Sequence, residues 1–360
     1  MDTSSPENMG SLRPIGEIIT LPERIETTIS LDEHIWKVRG KGGGREFELA
    51  TVRNFVITSE LRAYLMEIFH KITSPYNPQD FEQPIGQGWW VQADFGSGKS
   101  HLLAYLTLMT TAGEKAWEIL AEKEGKAGKG KRESLAQFKE GMLRKRIFPL
   151  VKNLVGGGGQ KVGSLETGKP LIDYLIEAAQ ETFEDLTGQR LPAFPDELVV
   201  NHFLEHHFGL FEEEFREFLT SLMGDGGMDA FLGMVEEGDW RDAGGIVWQF
   251  YERNKLKPDV PVDAYSILKH LITTILESGF DGILVILDEV SEFLRRSPSK
   301  ENEEDVLLTL AWPMVRRENL PIWTDLCRAT ENRGTCGFQE DRFPGALQAS
   351  HPFTEGRDLL

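Results

Sequence analysis

The stretch Ala93-Asp94-Phe95-Gly96-Ser97-Gly98-Lys99-Ser100 sets two glycines, a lysine and a hydroxyl at the spacing G-x-x-x-x-G-K-[ST], with alanine in place of the first glycine. Consecutive backbone N–H groups in such a loop, backed by a helix N-terminus, form a nest for anions. Gly96 and Gly98 permit backbone conformations and close approaches that a Cβ blocks. Lys99 is expected to reach the β- and γ-phosphates of a nucleoside triphosphate, and the Ser100 hydroxyl to ligate Mg²⁺. Ala93, Asp94, Phe95, Gly96, Ser97, Gly98, Lys99, Ser100 and His101 together make up the candidate phosphate cradle. Alanine is the smallest side-chain replacement for the missing glycine at the exit from a strand.

A second motif lies far downstream. Ile283 to Leu287 are five consecutive apolar residues, followed by Asp288 and Glu289. Such a run reads as a central parallel strand buried on both faces. Acids at its C-terminal end lie at the edge where open α/β sheets bind ligands. Asp288 is the candidate metal ligand beside Ser100, and Glu289 the group that polarises a water for attack on the γ-phosphate. Each motif alone has a plainer reading, a glycine turn or a solvated acidic turn. Together they weaken both plain readings. A third candidate is Thr324, which ends the short run Leu320 to Thr324 and would touch the γ-phosphate from a neighbouring strand. A structural threonine is the alternative there. The catalytic set is therefore Glu289, Lys99 and Thr324, with ATP and Mg²⁺ as the implied cofactors.

The elements that must position these residues follow from periodicity and breakers. Short β-type runs are expected between Ile15 and Val56, after a polar and disordered first 14 residues. Ser59 to Ile72 reads as a helix with Ser59 as its N-cap. Strands are expected at Gly88–Ala93, Arg146–Val155, Ile283–Leu287 and Leu320–Thr324. Helices are expected from Lys99 to about Thr110, over Leu171–Phe183, over Asp263–Glu277 and over Glu304–Arg317. Leu191 to Lys257 is acidic, aromatic and helical in pattern, longer than a simple crossover needs, and reads as a helical insertion. The fold class is thus α/β, a P-loop NTPase-type parallel sheet flanked by helices. Residues 1–50 are assigned to an N-terminal extension, 51–324 to the core with the insertion at about 187–258, and 325–360 to an irregular tail.

Composition bounds the partners. The 360 residues carry 39 Lys and Arg against 58 Asp and Glu, a formal charge of −19. A surface this acidic repels phosphate backbones, so nucleic acid is not evident as a partner and a DNA-translocating motor is disfavoured. Only two cysteines occur, Cys327 and Cys336, without metal-ligand spacing. No secretory signal and no apolar run long enough for a bilayer is visible, so a cytoplasmic location without membrane is expected.

With these motifs in place, the chain resembles the bacterial phage-defence ATPases of the BREX/Pgl type. The resemblance rests on "FVITSELRAYL", "GWWVQADFGSGKSHLLAYL", "RIFPLVKNLVG", "ILVILDEVSEFL" and "ENLPIWT", and covers roughly residues 50 to 324. It implies an ASCE-type (AAA+-like) ATPase core, ATP hydrolysis, other proteins of a defence complex as partners, and conformational work that blocks phage replication. Homo-oligomers are a further expectation. Such ATPases are longer, so the tail, "DLCRATENRGTCGFQEDRFPGALQASHPFTEGRDLL", is read as truncated or frame-shifted. A nucleotide-binding assembly module, or an inert fragment without turnover, is the alternative function. Arg295, Arg296, Arg316 and Arg317 read as solvated pairs rather than as arginine fingers.

Other patterns receive the bland reading. "HFLEH", His202 to His206, matches an inverted zinc-protease pattern on a helix, but no further protease feature accompanies it. Glu122 to Glu133 is rich in Lys and Gly and reads as a solvated loop. Gly224 to Asp229 is a loop with no strand before it, and Trp89 and Trp90 read as sheet packing.

Overall fold

A computed structural model describes residues 31, 45–77, 79, 80, 82, 84–93, 98–111, 113–126, 134–155, 169–256, 260, 263–311 and 313–329. The readings for residues 1–14, for most of 15–44, for 127–133 and for 330–360 lie outside the described residues.

Four strands form one sheet: β1 (Gln87–Ala93), β2 (Ile147–Asn153), β3 (Gly282–Asp288) and β4 (Ile322–Ala329). Their order is β1-β4-β3-β2 and every pair is parallel. The last strand in sequence thus lies between the first and the third. β3 is buried along its whole length, as its unbroken apolar run requires of a strand covered on both faces.

Helices cover both faces. On one, α1 (Arg45–Asn54), α2 (Ser59–Thr73), α3 (Lys99–Thr111) and α4 (Glu114–Lys126) pack on Trp89, Val91, Leu284, Ile286 and Trp323. A short α5 (Lys139–Leu143) then leads into β2. On the other face, α6 (Leu171–Thr187), α11 (Ala264–Glu277), α12 (Val290–Arg296) and α13 (Lys300–Ala311) pack on Phe148, Leu150, Ile283, Val285, Ile322 and Leu326. The helices α7 (Asp196–His202), α8 (Glu212–Met223), α9 (Gly227–Glu237) and α10 (Trp240–Arg253) enclose a third core of their own. Phe203, Phe215 and Phe250 meet there with ring centroids 4.6 to 5.6 Å apart. This is the helical insertion, lodged between α6 and α11 in the connection from β2 to β3. Among the described residues, no helix is long and apolar enough to cross a membrane.

Several boundaries differ from the sequence reading. Residues 45–54, expected to continue a β-type segment, form α1, which also crosses the domain boundary drawn at 50. The Lys123 ammonium donates to the carbonyls of Val52, Arg53 and Phe55. It satisfies the orphan carbonyls at that helix end, so this lysine serves the fold rather than a solvated loop. The N-cap of α2 is Thr58, not Ser59: its hydroxyl accepts from the Leu61 N–H at 3.3 Å. The helix expected over Glu304–Arg317 begins at Lys300 and stops at Ala311, where Pro313 opens a wide turn to Arg317.

β4 also runs past the predicted end at Thr324, through Ala329, so the first residues of the supposed irregular tail belong to the sheet. Pairing explains this: Asp325 to Ala329 face Trp89 to Ala93 of β1 along its whole second half. Close packing at the base of β3 is equally specific. A Cβ on Gly282 would lie 2.3 Å from the Trp323 ring and 2.8 Å from the Pro321 carbonyl oxygen. Gly282→Ala is therefore expected to destabilise the fold by roughly 1–3 kcal/mol, the usual cost of overpacking. Urea unfolding followed by tryptophan fluorescence measures it.

Candidate functional site

The C-terminal ends of β1 and β3 converge on the start of α3. Gly98 precedes α3 with φ of +88°, a conformation that favours glycine, and its carbonyl accepts the Leu102 N–H at 2.9 Å. Lys99 and Ser100 open the helix, so the first-turn N–H groups point toward the strand ends as an anion site requires. Ala93 ends β1 opposite Ala329 of β4. Asp94, Phe95, Gly96 and Ser97 lie outside the described residues.

The two motifs meet here. The Ser100 hydroxyl donates to Asp288 Oδ2 at 2.6 Å, across 188 residues of sequence. Asp288 is 1% exposed, and its Oδ1 accepts the backbone N–H of Glu289 at 2.9 Å. Both carboxylate oxygens are thereby aimed, one at α3 and one along the chain. A hydroxyl and a carboxylate in contact at a loop-to-helix start fit the donor set of a hard divalent cation, which takes oxygen ligands.

Glu289 has φ of +60°, a left-handed conformation that costs a non-glycine residue energy and clusters at functional sites. Partial burial pushes its carboxyl above the usual range, and the charges of Asp288 and Glu292 add to that, while Lys99 opposes them. A carboxyl whose proton affinity is raised is suited to accepting a proton or orienting a water. Lys99 itself is largely buried.

Two predicted residues are not brought into this cluster. Thr324 pairs with Val285 in mid-sheet, three residues before the level of Asp288. It shares its face with Ile322 and Leu326, which belong to the core on the far side of the sheet from α3. At about 3.3 Å per residue and on the wrong face, Thr324 cannot reach a phosphate bound at Lys99. The His101 ring turns instead to Phe55, edge to face at 5.1 Å. Burial, and secondarily Lys123, lowers its proton affinity. Only the His101 backbone N–H remains for the cradle.

One residue was missed. Asp325, in β4 beside Trp89 and Ile286, is 0% exposed and lies on the α3 face. The Tyr64 hydroxyl of α2 donates to its Oδ2 at 2.7 Å. Burial pushes its carboxyl up to about 7, with Asp288 adding to the effect. No pattern in "TDLCRA" marks it; its burial follows from strand order alone.

The residues of the declined patterns lie elsewhere. His202 and His206 lie with ring centroids 4.8 Å apart at a wide helical turn, Phe203–His207. Among the described residues no group of three His, Cys, Asp or Glu could hold a metal ion. Trp89 is buried and donates to Glu67 at 3.0 Å. Arg295 and Arg296 both bond to Glu292. Comparison with protein-family models, curated proteins and solved structures found no significant match, so the functional argument rests on the geometry of this site.

Proposed function

We propose that the chain is a P-loop NTPase of the ASCE or AAA+-like kind that binds ATP with Mg²⁺ and hydrolyses it to ADP and phosphate. The observation that carries this reading is the 2.6 Å contact between Ser100 and Asp288. It joins the loop motif to the acidic strand motif although they are far apart in sequence. The strand order adds support, because β4 separates the two motif strands, as a sheet with an added strand between them requires. Lys99 and the N–H groups opening α3 bind the phosphates. Ser100 and Asp288 hold the metal, which when bound supplies charge neutralisation for the phosphate oxygens. Glu289 orients the attacking water and takes its proton. The resemblance to phage-defence ATPases assigns the resulting conformational work to a cytoplasmic multi-protein complex.

The decisive experiment is the melting temperature of the chain with and without Mg·ATP, beside a Lys99→Ala control. A ligand at a hundred times its Kd stabilises a fold by about 2.7 kcal/mol, so the parent chain is expected to melt several degrees higher with ligand. The control is expected to show no shift. Absence of a shift in a parent chain that melts cooperatively overturns the reading.

A further inference from the structure

Asp325 is a costly residue for its position. Burying a carboxyl among apolar neighbours is unfavourable unless its hydrogen bonds are satisfied. Here Trp89 and Ile286 flank it on the adjoining strands, and a leucine would pack there without that cost. Tyr64 satisfies Oδ2, but Oδ1 is fully buried with no hydrogen-bond partner among the described residues.

Its location relative to the site is specific. Leu284 and Ile286 of β3 and Trp323 of β4 belong to the core beneath α3. Alternation along the strands therefore puts Asp288 and Asp325 on that same face. β3 and β4 are direct neighbours, and Asp325 pairs with Ile286, two residues before Asp288. The second carboxyl thus lies one pleat behind the first, in a region of low polarity where charges act over several ångströms.

We infer that Asp325 is a positioning residue for the metal end of this site, its buried carboxylate adding negative charge behind the Ser100–Asp288 pair and its bond to Tyr64 fixing where that charge lies. The inference rests on the nucleotide-binding reading above. A divalent cation at Ser100 and Asp288 is attracted by both carboxylates, whereas the phosphates of a metal-free nucleotide gain nothing from Asp325.

Asp325→Asn retains the shape and an acceptor for Tyr64 but carries no charge. Isothermal titration of the full chain at about pH 8, where ionisation of a carboxyl near 7 is favoured, separates the two ligands. With saturating ADP, the half-saturating Mg²⁺ concentration is expected to rise roughly tenfold in Asp325→Asn, while ADP affinity in EDTA does not fall, because removing a negative charge does not weaken the binding of anionic phosphates. Tyr64→Phe, which leaves the carboxyl without its donor, is expected to shift Mg²⁺ in the same direction by less. An unchanged Mg²⁺ midpoint in Asp325→Asn overturns the inference. So does an equal loss of ADP affinity in EDTA, because that marks a general structural role. Mn²⁺ alone, titrated into the nucleotide-free chain, distinguishes the two readings. If the parent binds no nucleotide yet binds Mn²⁺ more tightly than Asp325→Asn does, the nucleotide reading fails and the charge role stands. If the parent binds neither, both fail.

Discussion

Glu289→Gln is expected to leave ATP binding intact and to lower turnover by roughly 10²–10⁴-fold, the range that a positioned general base contributes. Glutamine preserves the size of the side chain at this position, so the start of α3 and the Ser100–Asp288 contact are expected to be undisturbed. What it removes is the proton acceptor. The parent carboxyl is suited to that role because burial, Asp288 and Glu292 all raise its proton affinity. Lys99 opposes that rise. Single-turnover hydrolysis by parent and variant, with binding measured in parallel, checks the expectation. Equal turnover removes Glu289 from the mechanism. A parent chain that binds Mg·ATP without any turnover, including at oligomer-forming concentrations, favours the alternative of a nucleotide-binding assembly module.

The second large effect concerns stability. The Asp325 carboxyl is pushed from 3.8 to about 7 in the folded chain, so the folded state holds this proton more tightly than the unfolded state does. For such a group the contribution is unpenalised below the unfolded value, near pH 4. Stability is lost as pH rises through the folded value near 7 and the loss is complete above it. Roughly three pH units at about 1.4 kcal/mol each correspond to a penalty of up to about 4 kcal/mol. Asp325→Asn, neutral throughout, is expected to be more stable than the parent by about 2–4 kcal/mol at pH 8, and to lose that advantage only when the pH falls to about 4 or below. Urea unfolding of both proteins at the two pH values measures the double difference, in which other titrating groups cancel. A constant difference between the two would mean that this carboxyl does not titrate in the range. A variant that gains stability while losing Mg²⁺ affinity would mark Asp325 as kept for function at the expense of the fold.

The sequence itself determined those parts of the molecule whose physics is local. Gly98 reads as a position whose backbone conformation needs a glycine, and the structure gives φ of +88° there. The run Ile283 to Leu287 reads as a doubly buried strand because every residue is apolar, and β3 follows. The helices between Asp196 and Arg253 were legible from the pattern of acids and aromatics in that stretch. Ser100, Asp288 and Glu289 were legible as candidates because each stands at the end of such an element.

Tertiary structure decided what depends on partners distant in sequence. "DLCRA" carries no strand signal of its own, yet β1 and β3 flank β4, and the supply of backbone partners extends β4 to Ala329. That extension moves Thr324 from the end of a strand to its middle and onto the far face, since side chains alternate along a strand. It also buries Asp325 against Tyr64, a contact spanning 261 residues. α1 likewise forms where β-type residues were expected, because α3 and α4 cover it and Lys123 closes its end. Patterns within a few residues specify turns, helices and buried runs. Strand order, and with it the face each side chain occupies and the carboxyls that meet, is set by hydrogen-bond pairing and burial across the whole chain.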